Sequence, residues 1–503
     1  MAIATGREVP SALAWGLVSK VLVSVLAVVS NVVIVRGLGD ESYGIYSIFL
    51  NVARFLSLAI GLGQATVILQ FLPETRVKDD RAGARALLGR AVALQIVAWI
   101  VVLAIVYLAR GWLSRIYETD LRGILIVGAA LLILEVLWTA AGNVLMAVRR
   151  MVQFTIVSVI QKAALIGLLV LLLRAGLTIN EVIWAGAGSF AIGIALLGPD
   201  LRRSVPPPGP RSAATLPARR VMKFAIAVTA GALVNQVLWR SSEVLIVGHY
   251  LGATSAGYVN LAYNLPQMIL EFIPLAIWPI ILASLSEVHT RRGEDLLRGI
   301  RLYFRLIFLL VFPLALTGFV LGGQAYLVLY GEEMAPGAGL CQAYFLVFLF
   351  SFLVTPLRMA LFVKERAMVN TLVALVGAVV NVGLDFLLIP RYGIWGAVPP
   401  VAIALLVSDG LQYILSRRLV PGLDIPWGYL ARVLAGSAVV APLWFVRGHL
   451  NGPLPVGAAL IGATLLQYLV LRAMRIVGDE ERELLLKSNL PFRETLARWV
   501  APR

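Results

Sequence analysis

Four basic side chains lie inside apolar runs of this sequence: Lys20, Arg54, Lys162 and Arg240. A central Arg or Lys in a bilayer costs on the order of 2.5–3.5 kcal/mol on insertion scales, so such charges need an anion. Lys20 and Arg54 have no acidic residue nearby in sequence. A guanidinium suits phosphate, because its planar fork donates two parallel hydrogen bonds. A carboxylate, Glu135 or Glu271, is the other candidate partner, and Lys20 can also snorkel to the membrane surface. Lys162 can pair with Glu135 across neighbouring helices, and Arg240 with Glu243 at i, i+3 on one helix. A lone buried carboxylate can instead carry a coupling proton, because burial lets it titrate.

These charges sit in polar stripes. Ser47, Asn51 and Arg54 recur at i, i+4 and i+7, one helical face. Asn260, Asn264, Gln267 and Glu271 make a second stripe, and Lys20, Ser24 and Asn31 a third. Guanidinium and ammonium groups suit an anionic head group. Lys20, Arg54, Arg240, Asn51, Asn264 and Gln267 are therefore the candidate binding residues. Glu271, Glu135, Glu243 and Asp385 are the candidate ion-coupling residues. Asp385 and Asp409 lie nearer span ends, where caps and helix-pair contacts are the plainer reading.

The elements that must hold these residues are helices in lipid. The chain has 503 residues, of which 60% are hydrophobic and 14% charged. An ordinary soluble domain is about 25% charged. The composition excludes a soluble globular enzyme, a disordered chain and a disulfide scaffold. Apolar stretches near the ~20 residues needed to cross a bilayer recur along the whole length. They fall at 12–35, 45–71, 87–109, 123–147, 154–173, 181–199, 223–249, 258–286, 303–322, 339–363, 369–389, 396–416, 430–447 and 455–474. The expected fold is an all-α polytopic membrane protein of about 14 transmembrane helices.

The net charge of +16 follows from topology rather than from nucleic-acid binding. With the N-terminus in the cytoplasm, most of the 43 basic residues fall in cytoplasmic segments. Only Arg36, Arg110, Arg115, Arg122, Arg174, Arg391 and Arg447 fall in outer loops. Both termini are thus expected in the cytoplasm. The basic, proline-rich segment 202–222 reads as a linker between 1–201 and 223–417, each of six helices. Two further helices occupy 418–475, and 476–503 is a cytoplasmic tail whose 479–487 run has amphipathic helical character.

The halves repeat one motif. LGDESYG at 38–44 matches LGATSAG at 251–257 in its leucine, serine and both glycines. An even number of helices separates the copies, which makes a parallel repeat. In this register the 47–54 stripe aligns with 260–267, and Ala27 with Arg240. Repeat-equivalent polar stripes imply a hydrated, cationic cleft between the lobes; interhelical hydrogen bonding is the plainer alternative. A related turn, RYGIWGA, stands at 391–397.

Catalytic signatures are lacking. The sequence holds no P-loop, HExxH or GxSxG, and its single cysteine, Cys341, leaves no disulfide or cysteine metal cluster. The reading is a non-enzymatic protein with no cofactor and no metal, coupled if at all to a proton or sodium gradient.

The segment 17–63, with GLGDESYG, followed by FLPE at 71–74, resembles the start of the Wzx-type polysaccharide flippases of the MOP superfamily. NVGLDFLLIPRYGIWGA at 381–397 is similar to the same family's hairpin between helices 11 and 12. MATE multidrug exporters and lipid II flippases share the fold and that hairpin; the early GLGxxxYG and FLPE favour the polysaccharide branch. The resemblance implies flipping of a polyprenyl-diphosphate-linked oligosaccharide across the bacterial cytoplasmic membrane, in O-antigen, lipopolysaccharide or other surface polysaccharide synthesis. It implies alternating access, membrane lipids as surroundings, and a polymerase or ligase of the same pathway as partner. A MATE-like cation antiporter is the first alternative, but its cleft should be acidic. A non-transporting envelope-synthesis scaffold is the second.

Overall fold

The computed structural model describes residues 8–476 except 118–121, 149, 175, 206, 208–216, 240–241, 292–294 and 365. All regular elements among them are helical. In chain order the α-helices are α1 (Glu8–Gly61), α2 (Gln64–Val77), α3 (Arg81–Ile116), α4 (Arg122–Ala147), α5 (Met151–Leu173) and α6 (Ile179–Ser204). Next come α7 (Ala218–Trp239), α8 (Ser242–Leu251), α9 (Ala253–Arg291), α10 (Asp295–Tyr330), α11 (Pro336–Ser351) and α12 (Thr355–Val363). The last are α13 (Ala367–Tyr392), α14 (Val398–Leu419), α15 (Trp427–Ser437), α16 (Leu443–Val446) and α17 (Pro453–Ala473). Backbone groups cannot find water in hydrocarbon, and helices satisfy them within the segment.

Ten helical runs among the described residues are long and apolar enough to cross a membrane. Two of these, Leu22–Arg76 and Met368–Leu419, are far longer than one crossing needs, and each contains a turn. With α7 and α9 added, the fold is that of an all-α polytopic membrane protein with about 14 spans. Some expected spans are interrupted. The 45–71 span breaks where Leu62 and Gly63 take left-handed backbone angles, φ 45 and 63. The 339–363 span divides at 352–354 into α11 and α12, with Pro356 inside the first turn of α12. The 223–249 span contains 240–241, which lie outside the described residues. By contrast α9 stays helical through Pro266, Pro274 and Pro279.

Contacts divide the chain into two compact units, a first of Trp15–Gly257 and a second that joins the residues before Trp15 to those from Tyr258 onward. In the first, a core of Val67, Ile68, Phe71 and Leu72 from α2 packs with Ala84, Leu87 and Ala91 of α3, Ala140 and Val144 of α4, and Ala225 of α7. A second cluster joins Trp138, Ala141 and Leu145 of α4 to Leu197 of α6, with Phe154 of α5 against the Trp138 ring. In the second unit Phe304, Phe308 and Phe312, one turn apart, bury a continuous aromatic ridge of α10. Tyr263 of α9 meets Tyr344 and Phe348 of α11 edge-on. The two C-terminal spans are fastened to this unit by hydrogen bonds as well as packing. Thr317 of α10 donates to the Gln467 side chain of α17 at 2.9 Å, and Gln467 donates to the Ser437 carbonyl of α15 at 3.0 Å. All three residues are buried. Leu108, Phe445 and Leu454 turn outward, each more than 80% exposed, as expected of side chains that face lipid.

The repeated motif divides its work between its two glycines. The first glycine of each copy makes the turn: Gly39 has φ 75 and Gly252 has φ 84. Left-handed angles cost other residues roughly 1–2 kcal/mol. The second glycine of each copy permits contact between the copies. A Cβ on Gly257 would lie 3.0 Å from the Gly44 Cα, and one on Gly44 would collide with the Ala253 carbonyl. The obstacle is backbone, so it cannot swing aside. Gly44→Ala is therefore expected to lower the melting temperature of the purified protein by several degrees, about 1–3 kcal/mol of overpacking strain. Gly383→Ala, in open space on α13, should leave it unchanged or slightly higher. Equal melting temperatures for Gly44→Ala and wild type would remove the close approach as a structural constraint.

Candidate functional site

In the first unit the polar line starts at the Gly44 turn and runs along the second arm of α1. Ser47 donates to the Gly44 carbonyl at 2.8 Å, and the Asn51 amide donates to the Ser47 carbonyl at 2.8 Å. Both side chains are completely buried. One and two turns further on, Arg54 and Ser57 approach α4. Ser57 donates to the Glu135 carboxylate at 2.9 Å. Arg54 and Lys162 both act electrostatically on that carboxylate, and Arg54 and Glu135 both act on the buried Tyr46. Two cations and one carboxylate from α1, α4 and α5 therefore share one half-buried neighbourhood. The expected pairing of Glu135 with Lys162 becomes a three-charge cluster in which Arg54 takes part. Gln161, beside Lys162, donates to the Ser189 hydroxyl of α6 at 2.7 Å, also in the interior.

The stripe of the second unit is satisfied along its own helix. Asn264 donates to the backbone and side-chain oxygens of Asn260, at 2.7 and 2.8 Å. Gln267 donates to Glu271 at 2.9 Å. The four residues thus form two linked pairs up one face of α9, half-buried or buried. Asp385 of α13 is completely buried, as is Asn381 one turn before it. Glu243, at the start of α8, is also buried. Lys20 lies on the first arm of α1, whereas Arg240 lies outside the described residues. The 479–487 segment lies outside them too.

One network was not anticipated. Arg358 of α12 forms an ion pair with Asp409 of α14 at 3.1 Å. Asn370 of α13 donates to the Arg358 carbonyl at 3.0 Å, and Gln412 donates to both Asn370 and Ser416, at 3.0 and 3.1 Å. The second carboxylate oxygen of Asp409 has no hydrogen-bond partner among the described residues. The sequence reading placed Asp409 in a helix-pair contact, which this is; its partner, 51 positions earlier, was hidden among basic residues assigned to topology.

No group of three or more His, Cys, Asp or Glu side chains able to hold a metal occurs among the described residues. The site's resources are cations, amides and carboxylates inside helices: means to bind an anion or hydroxyl-rich molecule and to hold a proton or small cation. Buried polar lines in a body of lipid-facing helices define a polytopic membrane protein with a polar interior. Solved structures share the fold. A lipid II flippase, MurJ, in an inward closed conformation aligns with a TM-score of 0.69 at 13% identity, over 91% of this chain and 98% of that one. A multidrug resistance MATE family transporter of the MOP superfamily, inward-facing, aligns with 0.63 at 15% identity, over 80% and 98%. The Vibrio cholerae MATE transporter VcmN gives 0.57 at 15% identity, over 82% and 96%. No curated protein sequence matches significantly. The chain belongs to the polysaccharide biosynthesis protein family, whose pattern matches residues 12–282, more than half its length.

The three-charge cluster makes a specific prediction. Glu135→Ala leaves two cations facing each other without their carboxylate and should lower the melting temperature in detergent. Adding Lys162→Met should recover part of the loss, a coupling of about 1–3 kcal/mol. Simple additivity of the two losses would show that these charges do not interact.

Proposed function

We propose that this protein flips a polyprenyl-diphosphate-linked oligosaccharide across the bacterial cytoplasmic membrane by alternating access, as a Wzx-type flippase. The observation that carries the reading is the position of half-buried Arg54 one turn from buried Asn51 on one polar helix face, in a chain of the polysaccharide biosynthesis family. The kinship of fold with a lipid II flippase supports it. Arg54, Lys20 and Arg240 hold the diphosphate, whose charge matches theirs. Asn51, Asn264 and Gln267 meet sugar hydroxyls. Glu135, Glu271, Glu243 and Asp385 are the carboxylates that couple transport to a proton or sodium gradient. In the resting protein Glu135 serves as counter-ion to Arg54, and the diphosphate displaces it on binding. This exchange keeps a buried cation neutralised at each stage, which the cost of isolated charge in hydrocarbon requires. The termini lie in the cytoplasm, and the polymerase or ligase that uses the glycan is the partner. The halves 1–201 and 223–417 move against each other during the cycle.

Reconstitution in liposomes with a labelled polyprenyl-diphosphate glycan tests the proposal. Arg54→Ala should slow flipping on the order of tenfold to a hundredfold, as expected for two lost charge-assisted contacts. Arg54→Lys should retain an intermediate rate, since it keeps the charge and loses the fork. Wild-type rates in folded Arg54→Ala protein would sink the diphosphate role. Proton-driven export of a cationic dye with no movement of lipid-linked glycan would favour a MATE-like antiporter instead.

A further inference from the structure

The network that joins α12, α13 and α14 has a fixed direction. It starts at the Arg358 backbone carbonyl, which accepts from the Asn370 amide at 3.0 Å. A carbonyl can only accept, so Asn370 must turn its NH2 to Arg358 and its oxygen to Gln412. Gln412 must then present its own NH2, which reaches Asn370 at 3.0 Å and the Ser416 hydroxyl at 3.1 Å. Flipping either amide would break a bond in this chain, so the Gln412 Oε1 is left pointing elsewhere. At the other end Arg358 donates to the Oδ1 of Asp409 at 3.1 Å.

Two acceptors are left over. The Oδ2 of Asp409 and the Oε1 of Gln412 are closed to solvent, and neither has a donor among the described residues. The residues are 8% and 0% exposed and stand at i and i+3 on one face of α14. Buried oxygens without a donor are costly, so this face calls for a positive ligand. A hard cation takes a shell of about six oxygens, which two do not make. A proton needs one acceptor beyond the atom that carries it. The other groups nearby leave the choice to Asp409. The helices packed on α14 are α11, α12 and α13. Arg358 is the charged residue of α12, and α11 offers only Cys341 and Tyr344, the latter bonded to the Ala397 carbonyl at the far end of α14. On α13, Asp385, Arg391 and Tyr392 lie about four turns or more beyond Asn370. Tyr413, on α14 itself, is engaged by Asp424 and Arg417.

We infer that Asp409 is a proton-exchange site, in which a proton taken up on Oδ2 is donated to the Gln412 Oε1 and replaces Arg358 as the charge that answers the carboxylate. The proton comes from water and returns to it, and no other bond is made or broken. In the proton-free state the ion pair ties α12 to α14; in the proton-bound state that tie is released and both leftover acceptors are satisfied. Arg358 has somewhere to go. Its side chain is 34% exposed, against 10% for that of Asp409. It stands within two turns of the helix ends that carry exposed Lys364, Arg366, Arg417 and Arg418, so its charge can move outward rather than stay beside a neutral acid. The site lies wholly within the second unit and does not depend on what the protein transports.

Infrared difference spectra of the full-length protein in detergent, taken between about pH 8 and about pH 5, test this, because ordinary aspartates stay ionised across that range. Wild type should gain a protonated-carboxyl band on acidification that Asp409→Asn lacks. Arg358→Gln removes the competing cation and should move the midpoint of that band up by about 1–2 pH units. Gln412→Leu removes the acceptor of the bound proton and should move it down by about one unit. A purely structural ion pair would show no such opposite shifts. Asp409→Asn keeps the shape of the side chain and offers Gln412 a donor, so it should fold; the Gln412→Leu shift serves alone if Arg358→Gln does not. Coincident spectra of wild type and folded Asp409→Asn overturn the site. Exchanging choline for sodium at constant ionic strength should leave the midpoint in place, and a midpoint that falls as sodium rises overturns the proton as its ligand.

Discussion

A polar atom in hydrocarbon must be answered by protein, because no water is there to answer it. That constraint explains why the regular structure is helical and why polar side chains join the apolar core while many apolar ones face outward. Leucine and valine side chains fill the outward faces, while Asn51, Gln161, Asp385, Gln412 and Gln467 are buried. Each unit is organised around such residues. In one, Ser57, Glu135, Arg54 and Lys162 draw α1, α4 and α5 together. In the other, Arg358 and Asp409 join α12 to α14, and Gln467 ties α17 to α10 and α15. Hydrophobic packing gives these helices no strong reason to prefer one another over lipid, whereas a buried carboxylate beside an arginine does.

The charges accordingly divide into three groups. Many sit at helix ends, such as Arg150 with Asp200, and Arg220 with Glu74, at 3.0 Å in both cases. Such half-exposed pairs are individually weak. A second group, Arg358 with Asp409, has its carboxylate buried against protein and joins helices. A third, around Arg54, combines two cations with one carboxylate and a hydroxyl, and it is this group to which the proposed function assigns the anionic cargo.

Much of this arrangement was legible in the sequence, and the illegible part has a common cause. Apolar length located the spans, because lipid imposes a minimum length that a count detects. The repeated LGxxSxG motif located both turns, because left-handed angles favour glycine. Its second glycine looked like part of the same turn, and only the fold shows that Gly44 and Gly257 touch. The break at Leu62–Gly63 is too short to lower the average hydropathy around it. The partnership of Arg358 with Asp409 joins distant positions, and no local pattern announces it. Lys162 and Glu135 could be matched because both stood alone in adjacent helices; Arg54 joins them through a helix hairpin that sequence spacing does not reveal.

The bond between Thr317 and Gln467 bears on how the chain is made. Its two ends are 150 residues apart in sequence. At synthesis rates of about 5–20 residues per second, α10 emerges on the order of ten seconds before α17. During that interval Thr317 stands in the membrane without the side chain that will accept its hydrogen bond. The second unit therefore acquires this contact only once α17 has been made, and α17 acts as a late latch on helices already inserted.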